Sequence, residues 1–206
     1  MDFTHALFCP QTNKQAQALA DDLGLACVHE APLSGWYLSW KDGMLACYLG
    51  TQSYHVDFLG SAFQHRIQSL TKKDPLIRAL GLHKKPNMHI IDATAGLGQD
   101  GLCMAHTGAK VTLLEQSPFV FALLKDGLRR AKTWLAAQES EIVAAQANSI
   151  DYLRSLKPEA YPDIIYLDPM YPERSKQALS KLPMQCLQAI TEPQDEQALF
   201  EMALQT

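Results

Sequence analysis

Two short segments, far apart in the chain, carry the residue types that could do chemistry. The first is the glycine-containing run 92–100, Asp-Ala-Thr-Ala-Gly-Leu-Gly-Gln-Asp, and the second is the run 168–171, Asp-Pro-Met-Tyr. Each follows an apolar, strand-like stretch and breaks into a loop at the carboxyl end of that stretch. Open α/β sheets bind ligands at this end of their strands. We therefore expect both segments to take part in ligand binding.

The glycine turn at Gly96 and Gly98 has the composition of a loop that holds a nucleotide-like cofactor. Glycine lacks a Cβ and lets the backbone approach a ligand closely. Asp92 and Asp100 place a carboxylate on either side of the turn. Glu115 ends the next predicted strand about twenty residues farther on, where an acid can bind ribose hydroxyls. Asn148 and Ser149 follow a third predicted strand and could meet an adenine ring.

Two cofactor classes fit a glycine turn, and the acids distinguish them. Gly101 stands three positions after Gly98, so the dinucleotide pattern Gly-x-Gly-x-x-Gly is formally present. That pattern places a pyrophosphate at the helix start, where Asp100 would repel it. The same carboxylate could bind the ammonium group of a methionine moiety, which favours a methyl donor. The plainer alternatives are a glycine turn made for packing and an ordinary strand-end acid at Glu115.

The second segment resembles the Asp/Asn-Pro-Pro-Tyr loop of amino-methyltransferases. Asp168 and the carbonyl of Pro169 can accept the two N–H bonds of an exocyclic amine, which directs its lone pair toward a sulfonium methyl group. Tyr171 could stack on a base swung out of its helix. Such a transfer needs neither a metal nor a covalent nucleophile. Together the two segments predict S-adenosylmethionine-dependent N-methyl transfer; alone, the second could be a strand followed by a proline-rich turn.

The elements that must position these segments follow from hydrophobic periodicity. From about residue 88 onward, strands predicted at 88–91, 110–114, 141–145 and 163–167 alternate with helices predicted at 99–106 and 118–138. This alternation predicts an α/β fold with a doubly wound, mainly parallel, Rossmann-like sheet. We expect this domain to span residues 58–206.

The first part of the chain, residues 1–57, mixes short strand-like runs with one helical run, which predicts a small α+β appendage. A strand is expected at 6–9, and a helix at 14–23 that Asn13 caps and Gly24 ends. The runs 36–40 and 44–49 flank Asp42-Gly43, which is the signal of a β-hairpin. At the other end, helices are expected at 177–190 and 195–204. The chain then stops where such sheets usually continue, so a missing carboxy-terminal part is expected.

Composition limits the class of protein. Hydrophobic residues make up 47% of the 206 positions and charged residues 19%, which predicts a packed globular core. No apolar run approaches the ~20 residues of a membrane span, and the first residues lack the pattern of a signal peptide. The five cysteines form no CxxC pair. We therefore expect a cytoplasmic protein with no membrane or metal partner.

The net charge of -4 is not typical of a nucleic-acid-binding protein, but the local charge is. The stretch from Gln64 to Lys85 contains six lysines and arginines and only one acid, Asp74. Such a cluster can neutralise phosphates; the alternative is an ordinary solvated helix face. The residues predicted to contact RNA are His65, Arg66, Lys72, Lys73, Arg78, Lys84 and Lys85.

Four segments in order, 56–66, 92–100, 114–118 and 166–172, resemble the ribosomal RNA small-subunit methyltransferase J family. The resemblance implies methylation of the N2 atom of one guanine in bacterial 16S rRNA, with S-adenosylmethionine as donor and 16S rRNA or the small ribosomal subunit as partner. It places the donor contacts on Gln99, Asp100, Glu115, Gln116, Asn148, Ser149 and Asp168.

The chain departs from the family where Gln99 and Gln116 stand at positions that often hold arginine. An amide keeps the hydrogen bonds but loses the charge. Two other functions stay open at this point. One is transfer to a DNA adenine or a protein amide, and the other is a non-catalytic fragment that binds only donor or RNA.

Overall fold

The computed structural model of the protein describes residues 5–10, 14–169, 190 and 195–206. Within these residues the strands form two sheets, one of five strands and one of four. The predicted cap Asn13, most of the predicted helix 177–190 and the predicted catalytic Tyr171 lie outside the described residues.

The first sheet comes from the amino-terminal part of the chain and has the strand order β2-β1-β3-β4-β5. β1 runs parallel to both β2 and β3, and β3, β4 and β5 are antiparallel neighbours. The predicted hairpin is confirmed, since Asp42 and Gly43 have φ angles of 52° and 77°, as a two-residue hairpin turn of this hand requires. Its elements are β1 His5–Phe8, α1 Lys14–Leu23, β2 Ala26–Val28, β3 Trp36–Lys41, β4 Met44–Leu49 and β5 Gln52–His55.

The second sheet is parallel throughout and has the order β8-β7-β6-β9. The predicted α/β architecture and its four strands are confirmed. Ile90, Ile91 and Leu113 are fully buried, because a parallel sheet is covered on both faces. The strands are β6 His89–Asp92, β7 Lys110–Glu115, β8 Glu141–Gln146 and β9 Ile164–Tyr166.

Several helices of this second part begin at a side-chain cap. Ser117 caps α5 by accepting from the N–H of Val120, with Pro118 as its first residue. Asp74 caps α3 in the same way. The last helix confirms the prediction at 195–204. The helices are α2 Ser61–Ser69, α3 Pro75–Ala79, α4 Gln99–His106, α5 Pro118–Ala137, α6 Ser149–Ser155 and α7 Glu196–Gln205.

The first sheet packs on α5. Asp126 of α5 accepts a hydrogen bond from the N–H of Leu45 at 3.0 Å and pairs with Arg130 at 2.9 Å. Arg130 donates in turn to the carbonyl of Val56. Leu7 and Trp36 of the first sheet lie in the same buried cluster as Leu123 of α5. The division into residues 1–57 and 58–206 stays a prediction. No helix within the described ranges is both long and apolar enough to cross a membrane.

Candidate active site

The glycine-containing segment and the described part of the second segment, Asp168 and Pro169, lie side by side at one edge of the parallel sheet. β6 and β9 are direct neighbours, with Asp92 opposite Tyr166. Beyond the strands, the N–H of Ala93 donates to the carbonyl of Tyr166 at 3.0 Å. The N–H of Asp168 donates to the hydroxyl of Thr94 at 2.7 Å. The segment of the glycine turn and the corner formed by Asp168 and Pro169, here called the acid-proline corner, are therefore joined by hydrogen bonds.

Asp92, which ends β6, is the most deeply buried acid of this edge, with 1% of its surface exposed. Burial raises its pKa to about 8, although the N–H of Thr94 donates to the carboxylate at 3.2 Å and opposes the shift. The neighbouring acids Asp100, Asp168 and Glu115 raise the pKa further. The carboxyl of Asp92 thus lies under the turn, and no basic side chain of the described residues pairs with it.

Glu115 joins the end of β7 to the glycine turn. Its carboxylate accepts from the N–H of Ser117 at 2.7 Å and also from the N–H groups of Gly96 and Gln116. Burial nevertheless raises its pKa to about 7. Glu115 is therefore fixed at the position from which an acid at this strand end can contact a ribose.

Asp100 lies in the first turn of α4 and has two side-chain partners from other elements. Its Oδ1 atom accepts from Arg66 Nη2 of α2 at 2.6 Å. Its Oδ2 atom accepts from the hydroxyl of Tyr166 in β9 at 3.1 Å. Burial, and then the charge of Asp100, raise the pKa of Asp168. Asp100 at the start of α4 and Asp168 after β9 thus interact electrostatically, in addition to the hydrogen bonds that join their segments.

The glycines of the turn have structural reasons of their own. Gly98 begins α4 with a φ of 78°, in the left-handed region that favours glycine. A Cβ on Gly98 would overlap the side chain of Leu124, and one on Gly101 would overlap that of Leu113. Gly96 also has a positive φ, 52°. Gly98 and Gly101 therefore serve packing, which was the plainer alternative for the glycine turn. The cofactor role of Gly96 and Gly98 stays a prediction.

The remaining predicted donor contacts surround the turn. Ser149 is 2% exposed and donates to the carbonyl of Ala93 at 2.6 Å, so its hydroxyl braces the loop after β6. Asn148 caps α6 through the N–H of Asp151, and its amide nitrogen lies 3.3 Å from Gln116 Oε1. Gln99 is exposed and donates to the hydroxyl of Tyr54 at 3.4 Å. All of these predicted residues line one edge of the sheet.

The predicted catalytic residues are described in part. Asp168 and Pro169 follow β9 at the edge just described, with Asp168 exposed and Pro169 partly buried. Tyr171 lies outside the described residues, so its stacking role stays a prediction.

The predicted RNA contacts are exposed, but two of them have acidic partners. Arg66 pairs with Asp100 and also donates to Cys103 Sγ at 3.1 Å, and Lys85 pairs with Asp163 at 3.0 Å. Sequence reasoning placed Arg66 with the basic cluster because its neighbours in the chain are basic. The pairing with a residue of α4 had no local signal. The other predicted contacts are exposed: His65, Lys72, Lys73, Arg78 and Lys84.

Sequence reasoning also missed Thr94 and Tyr166 as parts of the site. Thr94 lies inside the first segment, and Tyr166 precedes the second by two residues. The sequence signal that could have identified them is a polar side chain at or next to the end of each strand. Their partners in space follow only from the pairing of β6 with β9.

Comparison with known proteins identifies the class of protein to which the chain belongs. The family model described as "Putative SAM-dependent methyltransferase" matches residues 25–206. The crystal structure of an SAM-dependent methyltransferase from Neisseria gonorrhoeae superposes with a TM-score of 0.70 at 29% identity, covering 98% of this chain and 80% of that one. The family match and the fold therefore place the chain among the S-adenosylmethionine-dependent methyltransferases.

Relatives named "Ribosomal RNA small subunit methyltransferase J" narrow the class. One from Nitrosococcus oceani is 44% identical over 155 residues, 73% of this chain and 61% of its own length. One from Thioalkalivibrio sulfidiphilus is 36% identical over 199 residues, 93% of this chain and 78% of its own. The chain belongs to the ribosomal RNA small subunit methyltransferase J family. It spans 61%, 63% and 60% of three relatives from Nitrosococcus oceani, Laribacter hongkongensis and Cellvibrio japonicus.

Proposed function

We propose that this protein transfers a methyl group from S-adenosylmethionine to the exocyclic N2 atom of a guanine in 16S rRNA. The observation that carries the proposal is the hydrogen bond from the N–H of Asp168 to Thr94 Oγ1, at 2.7 Å. This bond joins the acid-proline corner, which is suited to hold the acceptor amine, to the segment of the glycine turn, which is suited to hold the methyl donor. The names of the relatives support a small-subunit rRNA acceptor, and the choice of guanine N2 rests on the resemblance.

The charges of the site fit a cationic donor. Asp92, Asp100, Glu115 and Asp168 lie close enough for the charges of the other three to raise the pKa of Asp92. Arg66 is the cation paired with this group in the described residues, and it contacts Asp100 alone among them. S-adenosylmethionine carries a sulfonium and an ammonium group, which would relieve the repulsion. An anionic dinucleotide would increase it.

Four of the predicted donor residues are assigned to three parts of the donor. Asp100 is placed to bind the ammonium group, and Glu115, held by three backbone N–H groups, is placed to accept from ribose hydroxyls. Asn148 and Gln116, within 3.3 Å of each other, offer amides to an adenine ring. When bound, the donor supplies a methyl group on a positively charged sulfur.

Asp168 and Pro169 orient the acceptor. Their oxygens can accept both N–H bonds of the exocyclic amine, so that its lone pair faces the methyl group. As the new C–N bond forms and the C–S bond breaks, the nitrogen must lose a proton. The raised pKa of Asp168, caused by burial and by Asp100, makes its carboxylate a better acceptor for that proton. This chemistry assigns both orientation and proton removal to one residue.

The exposed cations of the segment 65–84 supply a surface for the RNA backbone. Among the described residues, Lys72, Lys73, Arg78 and Lys84 make no ion pair. Cations without acidic partners can neutralise phosphates at no cost in broken salt bridges. We therefore assign phosphate contacts to this set together with His65, and a smaller part to Lys85.

The test is methyl transfer from labelled donor to small ribosomal subunits isolated from cells that lack this modification. Wild type should label 16S rRNA at guanine N2, and Asp168→Ala should lower the rate by about a hundredfold or more, as expected for loss of a proton acceptor. Asp151→Ala removes an exposed carboxylate of α6 and serves as the matched control, with an unchanged rate.

Three outcomes would overturn the proposal. Label found only in DNA or protein would assign a different acceptor to the same chemistry. Donor binding without transfer to any acceptor would make the chain a binding module. Undiminished transfer by Asp168→Ala would remove the acid-proline corner from the mechanism.

A further inference from the structure

The carboxylate of Asp100 is held by two residues that neither the glycine turn nor the acid-proline corner contains. Arg66 Nη2 lies 2.6 Å from Oδ1, and the hydroxyl of Tyr166 lies 3.1 Å from Oδ2. Each oxygen of Asp100 thus has one donor, and the donors come from α2 and β9. We infer that Arg66 and Tyr166 are positioning residues for the methyl donor, which hold Asp100 in one orientation for the donor's ammonium group. The inference rests on the proposed function.

The stereochemistry leaves room for the ligand. An ionised carboxylate offers about four lone-pair sites, and Arg66 and Tyr166 occupy one on each oxygen. The remaining sites can accept from an ammonium group. A bond from Arg66 Nε to Cys103 Sγ, at 3.1 Å, fixes the guanidinium in turn. Burial, followed by the charge of Asp100, raises the pKa of Tyr166, so its hydroxyl keeps the proton that it donates.

A purely stabilising role is a weak explanation for this pair. The side chains of Arg66 and Asp100 are 45% and 31% exposed, and ion pairs with such access to solvent contribute little to folding. Orientation of a ligand-binding carboxylate does not require a large folding contribution. The geometry therefore favours a role in binding over a role in stability.

The experiment compares two ligands by calorimetry. S-adenosylhomocysteine carries the amino acid portion, whereas 5′-methylthioadenosine lacks it. Arg66→Gln and Tyr166→Phe should each weaken S-adenosylhomocysteine binding by about tenfold, the effect of one lost charge-assisted hydrogen bond. Binding of 5′-methylthioadenosine should stay unchanged. In an Asp100→Asn background, the same substitutions should have little further effect on either ligand.

Two variants control the comparison. Arg154→Gln removes an arginine from an exposed pair with Asp151 on α6 and should bind both ligands like wild type. Arg66→Lys keeps the charge and should restore part of the lost affinity. Far-ultraviolet circular dichroism of every variant checks that the fold is intact.

Different failures have different meanings. Equal weakening of both ligands would show a structural role and overturn the inference, as would unchanged binding of S-adenosylhomocysteine by Arg66→Gln. A loss confined to the affinity for ribosomal subunits would assign Arg66 to phosphate contact and also overturn it. If wild type binds neither ligand, the proposed function itself fails.

Discussion

At the residue scale, Asp92 is a carboxyl group that the fold keeps away from water. Its pKa rises from 3.8 to about 8, chiefly through burial. The folded protein therefore holds a proton at pH values at which the unfolded chain has released it. Stability should be greatest below the unfolded pKa and should fall as the pH rises from about 4 to about 8, by up to about 1.4 kcal/mol per pH unit for this group.

Asp92→Asn isolates this contribution from that of Glu115, whose raised pKa acts in the same direction. The amide resembles the protonated acid and can still accept from the N–H of Thr94. The variant should match wild type in free energy of unfolding near pH 4 and exceed it near pH 8, by about 1 kcal/mol or more. Urea unfolding of the ligand-free proteins at both pH values measures the difference. A constant difference between wild type and variant at the two pH values would contradict the assignment.

At the scale of elements, glycine at position 101 lets α4 pack closely on β7. A Cβ there would overlap the side chain of Leu113 and lie 3.4 Å from Asp92 Oδ2. Alanine is the better helix former by about 1 kcal/mol, but Leu113 is fully buried and has little space to move. Gly101→Ala should therefore destabilise the protein by about 1–3 kcal/mol, as overpacking does.

Urea unfolding measures this cost, and a double-mutant comparison gives its cause. In a Leu113→Ala background the overlap disappears, and Gly101→Ala should be neutral or slightly stabilising. The same cost in both backgrounds would show that the overlap with Leu113 is not responsible.

Gly101 also shows what the sequence could and could not predict. It completes a Gly-x-Gly-x-x-Gly spacing that is formally that of a dinucleotide site, and in the structure it lies at the contact between α4 and β7. The four parallel strands were predictable because buried strands and their turns have local signatures. Short β2, with three residues, lacks such a signature. The pair of Arg66 and Asp100, 34 residues apart, depends on tertiary packing that no local pattern encodes.

At the scale of the whole molecule, the amino-terminal sheet and the parallel sheet share one core. Trp36 of β3 packs against Phe119 of α5, with ring centroids 4.9 Å apart, and a Cβ on Gly127 of α5 would overlap Val56. Asp126 forms the polar part of this contact. Burial opposes its ionisation, but hydrogen bonds from Arg129 and Arg130 lower its pKa. The sheet of the predicted appendage thus packs on the longest helix of the described chain.

This anchoring predicts that the whole chain unfolds in one transition and that Asp126 contributes strongly to it. Asp126 and Arg130 have side chains only 9% and 15% exposed. Asp126→Ala therefore leaves the N–H of Leu45 without its acceptor and removes the closest carboxylate from a buried guanidinium, which keeps its bond to the carbonyl of Val56. The cost should be about 3 kcal/mol, against almost none for the exposed control Asp151→Ala.

A Trp134→Phe background leaves tryptophans only in β3, so fluorescence then reports on the first sheet and circular dichroism on the whole chain. Coincident urea transitions are expected, both shifted equally by Asp126→Ala. If fluorescence changed at lower urea than circular dichroism, the amino-terminal residues would be an independent domain, since a shared core cannot lose one of its faces while the other stays folded.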